Sequence, residues 1–330
     1  MSASASQIQR TDDGALRHLL TLEGLSKTDL GAILDLAERY LAPPEQQVVR
    51  SSALAGLTVA NLFFEPSTRT RASFELAARR LGADVLNLDV STSSRIKGES
   101  ILDTIYTLQA MQVDSFVVRD AAEGVPAMIA AAVRDGVSVL NAGEATVAHP
   151  TQGLLDLLTV RRARPDLSAL NICIVGDIAH SRVARSAVQA FATMEVASIR
   201  LVAPPSLQPD PALYPAATAY TELAPAIAGA DIIMALRIQR ERIADQDDIP
   251  DVETYASRYG LNRDNLKGAA EDALIMHPGP MNRGIEIADD VADSPRSLIT
   301  EQVRNGVAIR MALLETVNAT NARWRRERAS

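Results

Sequence analysis

Residues 57–82 read LTVANLFFEPSTRTRASFELAARRLG and predict a strand, a short turn and an amphipathic helix in immediate succession. The run LTVANLFF is almost continuously apolar, as is typical of a strand buried in a parallel sheet. The helix begins in the hydroxyl-rich segment STRTR and ends at Gly82, a residue suited to the left-handed turn that closes many helices. A strand that leads directly into a helix is the repeating unit of α/β folds.

The same alternation extends in both directions from this unit. Upstream, SKTDLGAILDLAERYL predicts a helix that starts with a capping pair, Ser26 and Asp29. Downstream, strands and helices alternate as far as VSVLN and the helix HPTQGLLDLLTVRRAR. The alternation then starts again with the strand NICIVGD and continues through SIRLVAP, ADIIMAL and ALIMHPGP. Such alternation predicts parallel sheets covered by helices on both faces.

Two series of strands and helices in a chain of 330 residues predict two domains. We expect two doubly wound α/β domains with parallel sheets. The predicted boundaries are 1–150 plus 295–330 for the first domain and 151–294 for the second. The last helix should dock on a core through one apolar face, formed by Val303, Val307, Met311 and Leu314.

Composition narrows the functional class. The net charge of -8 is spread along the chain, which argues against general nucleic-acid binding. The single cysteine, Cys173, lies in an apolar run, so we expect a buried strand residue and no internal disulfide. Residues 1–14 lack the apolar core of a signal peptide and predict a flexible tail. No apolar run is long enough to span a bilayer. The four histidines show no metal-ligand spacing. A cytoplasmic location is expected.

The segment Ser67-Thr68-Arg69-Thr70-Arg71 predicts an anion site. A helix start exposes unpaired backbone N–H groups and the positive end of the helix dipole. Three hydroxyls and two guanidinium groups at that point strengthen the attraction for a phosphate. In the alternative interpretation, a hydroxyl of Ser67 or Thr68 caps the helix and the arginines are solvated. Arg71 lies further into the helix and is better suited to a salt bridge.

The sequence FFEPSTRTRASFE resembles the carbamoyl phosphate motif of the aspartate and ornithine carbamoyltransferase family. The segment His149-Pro150-Thr151-Gln152 resembles the second motif of that family. The resemblance covers the chain apart from the N-terminal tail and the last few residues. It implies an active-site cleft between the two domains, with carbamoyl phosphate bound by the first and the amino-acid acceptor by the second. It implies neither a metal ion nor an organic cofactor.

The resemblance also implies roles for individual residues. A transferred carbamoyl group needs donors for its carbonyl oxygen and for the departing phosphate. The predicted phosphate ligands are Ser67, Thr68, Arg69 and Thr70. The predicted ligands of the carbonyl oxygen are Thr70, Arg119 and His149. The predicted acceptors for the carbamoyl NH2 group are Gln152 and the backbone around Pro278, Gly279 and Pro280. Without the resemblance, a helix-capping His149 and a solvated Arg119 are the fair alternatives.

The polar segment 91–100, STSSRIKGES, precedes a predicted helix. In the family that it resembles, this loop reaches the active site of a neighbouring subunit. Ser93 and Lys97 are then expected to bind phosphate, and Lys97 also to bind the acceptor. The minimal unit would be a homotrimer with shared active sites. An ordinary surface loop is the alternative.

Residues of the second domain determine which amino acid accepts the carbamoyl group. Aspartate needs two cationic groups, and the resemblance assigns its α-carboxylate to Arg182 and its β-carboxylate to Arg237 with the neighbouring Gln239. The ornithine enzymes of the family carry a cysteine in the motif around Pro278 and a tryptophan-containing loop, whereas this chain has only Cys173 and Trp324, which lie elsewhere. Aspartate is therefore the expected acceptor. The resemblance also suggests that Glu65 pairs with Arg182 and Arg242.

Several alternatives remain open at the level of sequence. The chain could transfer the carbamoyl group to another amino acid such as ornithine, or it could be a non-catalytic relative that only binds a partner. A nucleotide-binding protein is less consistent with the sequence, because GDIAHSR after the strand NICIV lacks the three-glycine fingerprint. Regulatory chains or a dihydroorotase-like partner are neither indicated nor excluded.

Overall fold

The computed structural model describes residues 4–43, 45–88, 100–239 and 250–329. The chain forms two compact units. The first unit contains Met1–Thr151 and Asn305–Ser330, and the second contains Gln152–Arg304. Within the described ranges, no helix is long and apolar enough to cross a membrane.

The first unit is built on a four-stranded parallel sheet with the order β2-β1-β3-β4. Its strands are β1 (Thr58–Phe63), β2 (Asp84–Leu88), β3 (Ser115–Asp120) and β4 (Ser138–Glu144). The helices described in it are α1 (Ala5–Ile8), α2 (Lys27–Arg39), α3 (Thr68–Arg80), α4 (Ile101–Ala110) and α5 (Val125–Ala132). Buried side chains of its strands and of α4 and α5, among them Phe116, Val118, Ile105 and Ile129, form an apolar core cluster.

The second unit contains a five-stranded parallel sheet with the order β7-β6-β5-β8-β9. Its strands are β5 (Asn171–Val175), β6 (Ser198–Val202), β7 (Thr218–Tyr220), β8 (Ile232–Ala235) and β9 (Leu274–Met276). The helices described in it are α7 (Arg182–Thr193), α8 (Leu223–Ile227), α9 (Val252–Tyr259) and α10 (Asp289–Ala292). Two further helices, α6 (Pro150–Ala163) and α11 (Ile299–Ala329), run along the chain from one unit into the other.

The prediction of two parallel-sheet α/β domains is confirmed. Local signals in the sequence explain why the elements form where predicted. Ser26 caps α2 by accepting from the Asp29 amide over 3.1 Å, and the Asp29 carboxylate accepts from the Ser26 amide in return. Gly82 has a φ of +83°, the left-handed conformation expected at the end of α3. Cys173 lies buried in β5, and burial raises the pKa of its thiol to about 12.

The prediction of a flexible tail over residues 1–14 is wrong from Ser4 onward. The segment contains α1, and the side chain of Gln9 is fully buried. The Gln9 Oε1 accepts from the backbone amides of Leu20 and Thr21 over 3.1 and 3.3 Å. Arg10 also pairs with Asp29 over 2.6 Å. The segment is therefore anchored by polar contacts, which hydrophobic periodicity does not detect.

The docking face predicted for the last helix is wrong at Val303. Met311 and Leu314 are fully buried, but the Val303 side chain is 63% exposed. The reason is the inward orientation of Gln302, whose amide bonds to buried Asp156. Successive helical residues differ by about 100° around the axis, so Val303 is turned toward solvent.

Candidate active site

The predicted phosphate and carbonyl ligands of the first unit follow three adjacent strands. Residues 67–70 follow β1, Arg119 lies at the end of β3, and His149 follows β4. From β1 the chain continues to β2 on one side of β1 and then crosses to β3 on the other side, so the topological switch point lies between β1 and β3. Open α/β sheets bind ligands at the carboxyl ends of strands beside such a point.

Ser67 is the N-cap of α3, yet its side chain makes no capping hydrogen bond. Two other serine N-caps behave differently, because Ser26 and Ser100 each accept from the amide three residues ahead over 3.1 Å. The interpretation in which the Ser67 hydroxyl caps the helix is therefore not what the structure shows. Arg69 is exposed, while Thr70 is buried in the first turn. The start of α3 keeps a hydroxyl and backbone amides available for an anion.

Arg119 is held at the carboxyl edge of the first sheet. Its side chain is 11% exposed, with Nη2 lying 3.5 Å from Oε1 of Glu65, and its Nη1 donates to the carbonyl of Ala142 over 3.3 Å. The backbone carbonyl of Arg119 accepts from the amide of Phe64 over 2.9 Å. This bond ties Arg119 to the chain that runs from β1 toward Ser67. The structure therefore does not show the alternative in which Arg119 is solvated.

His149 is 5% exposed and immediately precedes α6. Its Nδ1 lies 3.5 Å from Oγ1 of Thr151. The turn before His149 is anchored by Glu144, whose backbone amide donates to the carbonyl of Ala148 over 2.9 Å. Burial raises the pKa of the Glu144 carboxyl, while a hydrogen bond from the Gly124 amide opposes that rise. A backbone hydrogen bond from the last residue of β4 therefore holds the turn before His149.

Gln152, the last residue of the second motif, belongs to the second unit. Its Nε2 donates over 2.9 Å to Oδ1 of Asp156, one turn further along α6. A carboxylate can only accept, so this contact fixes which end of the amide is nitrogen. The Oε1 of Gln152 consequently faces away from Asp156 and is oriented as an acceptor.

The predicted acceptor ligands of the second unit follow β5 and β8, which flank the topological switch point of the second sheet. Arg182 is the first residue of α7 and is 4% exposed. Ser181 caps this helix by accepting from the amide of Ala184 over 3.1 Å. Arg237 lies two residues beyond the end of β8 and is half-buried.

Fully buried Asp177 joins the segments that carry these two arginines. Its Oδ1 accepts from the amide of His180 over 3.1 Å and lies 2.9 Å from the His180 Nδ1. Its Oδ2 accepts from the amide of Gln239 over 3.2 Å, and the Gln239 side chain donates to the carbonyl of His180 over 3.1 Å. The structure therefore brings the predicted residue Gln239 into contact with the segment before Arg182. Sequence reasoning gave Asp177 no role, because its partners lie about 60 residues apart.

The predicted backbone acceptors at Pro278 and Gly279 follow β9 and are partly buried, whereas Pro280 is exposed. His277 anchors this loop. Its Nδ1 accepts from the amide of Gly279 over 2.8 Å, and its Nε2 lies 3.1 Å from Oε1 of Glu286. The ring therefore carries its proton on Nε2 and donates it to the carboxylate. His277 and Glu286 were missed at the level of sequence, since nothing local marks the pair.

Ser93 and Lys97 lie outside the residues that the structure describes, as does Arg242. The roles predicted for them stay predictions. Within the described ranges, Oε1 of Glu65 lies 3.5 Å from Nη2 of Arg119. Across the described ranges, no group of three or more histidine, cysteine, aspartate or glutamate side chains is arranged to hold a metal ion.

Two family profiles match nearly the whole chain. The profile described as "Aspartate/ornithine carbamoyltransferase, carbamoyl-P binding domain" matches residues 17–162. The profile described as "Aspartate/ornithine carbamoyltransferase, Asp/Orn binding domain" matches residues 168–317. Among curated relatives, an aspartate carbamoyltransferase catalytic subunit of Xanthomonas oryzae pv. oryzae is 50% identical over 311 residues, which are 94% of this chain and 98% of the relative.

Solved structures agree with these matches. The catalytic subunit of aspartate transcarbamoylase from M. jannaschii is 31% identical, with a TM-score of 0.81 over 93% of this chain and 99% of that chain. Aspartate transcarbamoylase from Trypanosoma cruzi, in complex with carbamoyl aspartate and phosphate, is 28% identical, with a TM-score of 0.80 over 91% and 95%. Ornithine carbamoyltransferase from Pyrococcus furiosus is 27% identical, with a TM-score of 0.80 over 92% and 98%.

Proposed function

Because the chain belongs to the aspartate/ornithine carbamoyltransferase family, we propose that it transfers the carbamoyl group of carbamoyl phosphate to the α-amino group of L-aspartate. The products are N-carbamoyl-L-aspartate and phosphate. One observation in the second unit supports aspartate as the acceptor. The segments bearing Arg182 and Arg237 follow adjacent strands and are hydrogen-bonded to each other through Asp177, His180 and Gln239.

The proposed reaction is an acyl transfer. The amine nitrogen forms a bond to the carbamoyl carbon, and the carbonyl oxygen takes up negative charge in a tetrahedral intermediate. The bond from carbon to the bridging phosphate oxygen then breaks, phosphate departs, and the amine loses its proton. The protein must hold the amine in place and stabilise charge on the carbonyl oxygen and the leaving group. Phosphate is a good leaving group, so no covalent enzyme intermediate is required.

We assign the leaving group and the carbonyl oxygen to the first unit. Ser67, Thr68, Arg69 and Thr70 bind the phosphate at the start of α3, where backbone amides and the helix dipole also favour negative charge. Thr70, Arg119 and His149 donate to the carbonyl oxygen. The support for these roles is that β1, β3 and β4 are adjacent and end at the same edge of the sheet. Hydrogen-bond donors lower the barrier most where negative charge develops in the transition state.

We assign the NH2 group and the two carboxylates to the second unit. Gln152 Oε1 and the carbonyls of Pro278 and Gly279 accept from the NH2 group, with Pro280 completing the loop. Arg182 binds the α-carboxylate. Arg237 binds the β-carboxylate and is supported by Gln239. Guanidinium groups form paired hydrogen bonds with carboxylates, which gives both affinity and orientation.

We also propose a homotrimer in which Ser93 and Lys97 complete the active site of a neighbouring subunit, with Lys97 contacting both phosphate and aspartate. This part of the proposal depends on the resemblance of residues 91–100 to the family loop. Exposed apolar side chains of α3 and of the edge strand β2 support a contact between subunits. Leu76 of α3 is 46% exposed and Leu86 of the edge strand β2 is 38% exposed, which suits a protein contact.

On the basis of the family, we place the enzyme in the cytoplasm and its product in pyrimidine synthesis. The reaction uses neither a metal ion nor an organic cofactor. Assembly with regulatory chains or a dihydroorotase-like chain would add to this trimer without changing the chemistry.

A direct assay tests the proposed function. The purified chain is incubated with carbamoyl phosphate and, separately, with aspartate, ornithine, glutamate or asparagine, and the carbamoylated products are quantified by mass spectrometry. We expect carbamoyl transfer to aspartate only. Asparagine lacks the second carboxylate, and glutamate places its second carboxylate too far from the α-amino group. Transfer to ornithine would contradict the assignment of the acceptor. Absence of transfer to every amine would contradict the proposed activity.

A further inference from the structure

A chain of buried hydrogen bonds within the second unit connects the side chain of Gln152 with the loop around Pro278. Oδ1 of Asp156 accepts from Nε2 of Gln152 over 2.9 Å and from Nε2 of Gln302 over 2.7 Å. Asp156 is fully buried, and Gln302 is 3% exposed. One carboxylate oxygen therefore sets the nitrogen end of two amides, which come from α6 and α11.

The second amide continues the chain into the loop. With its nitrogen bound to Asp156, Gln302 presents Oε1 to the backbone amide of His277, which donates over 2.9 Å. The His277 ring then accepts from the Gly279 amide, while Glu286 holds the opposite nitrogen of the ring. Glu286 also accepts from the amide of Asn282 over 2.5 Å, on the far side of the loop. Both ends of the loop are thereby attached to the same network.

The direction of these bonds has a chemical consequence. Asp156 orients Gln152 so that Oε1 faces away from the network, and His277 occupies the amide of Gly279 so that this N–H is not directed to a ligand. At the Gln152 side chain and at the loop, the groups that the network leaves for a ligand are oxygens, namely the Gln152 amide oxygen and the loop carbonyls. Oxygen acceptors recognise an N–H donor and offer nothing to a methyl group in the same position.

We propose that Asp156 and Gln302 are positioning residues that make the site selective for the NH2 group of the carbamoyl substrate. They act through Gln152 and the Pro278–Gly279 backbone and do not touch the substrate. The inference rests on the proposed function, because it concerns the group that is transferred. Neither residue belongs to the two sequence motifs, and Gln302 lies about 150 residues from Gln152 along the chain.

Acetyl phosphate is a suitable probe, since it keeps the phosphate and the carbonyl group and replaces NH2 by a methyl group. Equilibrium titrations without aspartate measure the Kd of carbamoyl phosphate and of acetyl phosphate for the wild type, Asp156→Ala and Gln302→Met. We expect the Kd of carbamoyl phosphate to rise about tenfold in Asp156→Ala, as for a lost oriented hydrogen bond, and the Kd of acetyl phosphate to stay within about twofold. Gln302→Met keeps the side-chain length and should reduce the same preference.

Asp231→Ala is the matched control. Asp231 is a carboxylate of the same unit that accepts from the backbone amide and the side-chain amide of Asn171 over 2.7 and 3.2 Å. It lies at the opposite, amino-terminal edge of the second sheet, next to the start of β8. This variant should lose stability and keep the wild-type ratio of the two Kd values.

The outcomes separate the inference from the proposed function. If the wild type transfers carbamoyl groups but the variants weaken both ligands by the same factor, Asp156 and Gln302 have a general structural role and the inference is overturned. An unchanged ratio in the folded Gln302→Met protein overturns it as well, even if Asp156→Ala does not fold. If the wild type transfers no carbamoyl group to aspartate, the proposed function itself fails.

Discussion

Gly176 lies so close to Leu236 that a Cβ on Gly176 would be 2.3 Å from the Leu236 carbonyl oxygen. Gly176 also has a φ of +142°, a conformation that side chains rarely adopt. The contact occurs where β5 and β8 end, and the Leu236 amide donates to the Val175 carbonyl over 2.7 Å. Close approach at this point sets the spacing between the segments that carry Arg182 and Arg237.

Gly176→Ala should therefore lower the free energy of unfolding by roughly 3 kcal/mol or more, because it combines backbone strain with a steric clash. Urea denaturation measures this change. Gly31→Ala is the control, since a Cβ at Gly31 in α2 would meet no atom within 4 Å. That variant should be neutral or more stable by up to about 1 kcal/mol. Equal destabilisation by the two substitutions would show that the close approach is unimportant.

Arg69→Ala should reduce kcat/KM for carbamoyl phosphate by roughly a thousandfold, about 4 kcal/mol, because charge on the departing phosphate grows in the transition state. Arg69→Lys should recover only part of this loss, since an ammonium cannot match a phosphate with two parallel donors. Arg79→Ala serves as the control on the same helix, because Arg79 is 56% exposed and pairs with Glu75. Steady-state kinetics with normal activity in Arg69→Ala would refute the phosphate assignment.

Arg237→Ala should raise the KM for aspartate about a hundredfold and the KM for carbamoyl phosphate far less. The substitution removes a charged partner of the β-carboxylate but leaves the phosphate residues intact. Arg258→Ala is a matched loss of a guanidinium in the same unit, because Arg258 pairs with Glu222 on the surface. Initial rates at varied concentrations of each substrate distinguish the two effects. Equal increases in both KM values would contradict an aspartate-specific role.

Stability should fall below about pH 6.5 because of His18. Burial, with a smaller contribution from Arg17, lowers the pKa of His18 to about 3, and its Nδ1 accepts from the Val139 amide over 2.9 Å. The unfolded chain takes up this proton near pH 6.5, whereas the native chain does so only near pH 3. Stability from a neutral His18 is therefore complete above pH 6.5 and is lost as pH falls, by about 2 kcal/mol at pH 5.

His18→Asn tests this prediction, because an amide oxygen can accept the same hydrogen bond and does not titrate. Urea unfolding at pH 7.5 and pH 5 should show a smaller pH dependence in the variant than in the wild type. The same pH dependence in both proteins would assign the acid sensitivity to other groups.

Hydrophobic periodicity predicted most strands because their apolar runs are long. It missed β7, which has three residues of which two are exposed, so no apolar pattern marks it. It also missed the anchoring of the N-terminal segment through Gln9 and the outward orientation of Val303, both of which depend on polar contacts between distant residues. Periodicity reports what is buried locally, and these features are decided by hydrogen bonds over long separations.

The same distinction between local patterns and long-range contacts applies to the candidate site. Residues at strand ends and helix starts, such as Ser67, Arg119 and Arg182, could be named from the sequence because each belongs to a local motif. Asp177 and His277 could not, since their roles arise only when separate strands end side by side. The contact between Asp156 and Gln152 could have been predicted, because Asp156 lies four residues after Gln152 on a predicted helix and so faces the same side.

The central claim is that a new bond joins the carbamoyl carbon to the amino nitrogen of aspartate. The most direct measurement is a 13C NMR spectrum of the reaction between [13C]carbamoyl phosphate and [15N]aspartate on the purified protein. We predict a carbonyl doublet from one-bond 13C–15N coupling, which appears together with free phosphate. Release of phosphate with uncoupled 13C in bicarbonate, or no reaction, would contradict the account.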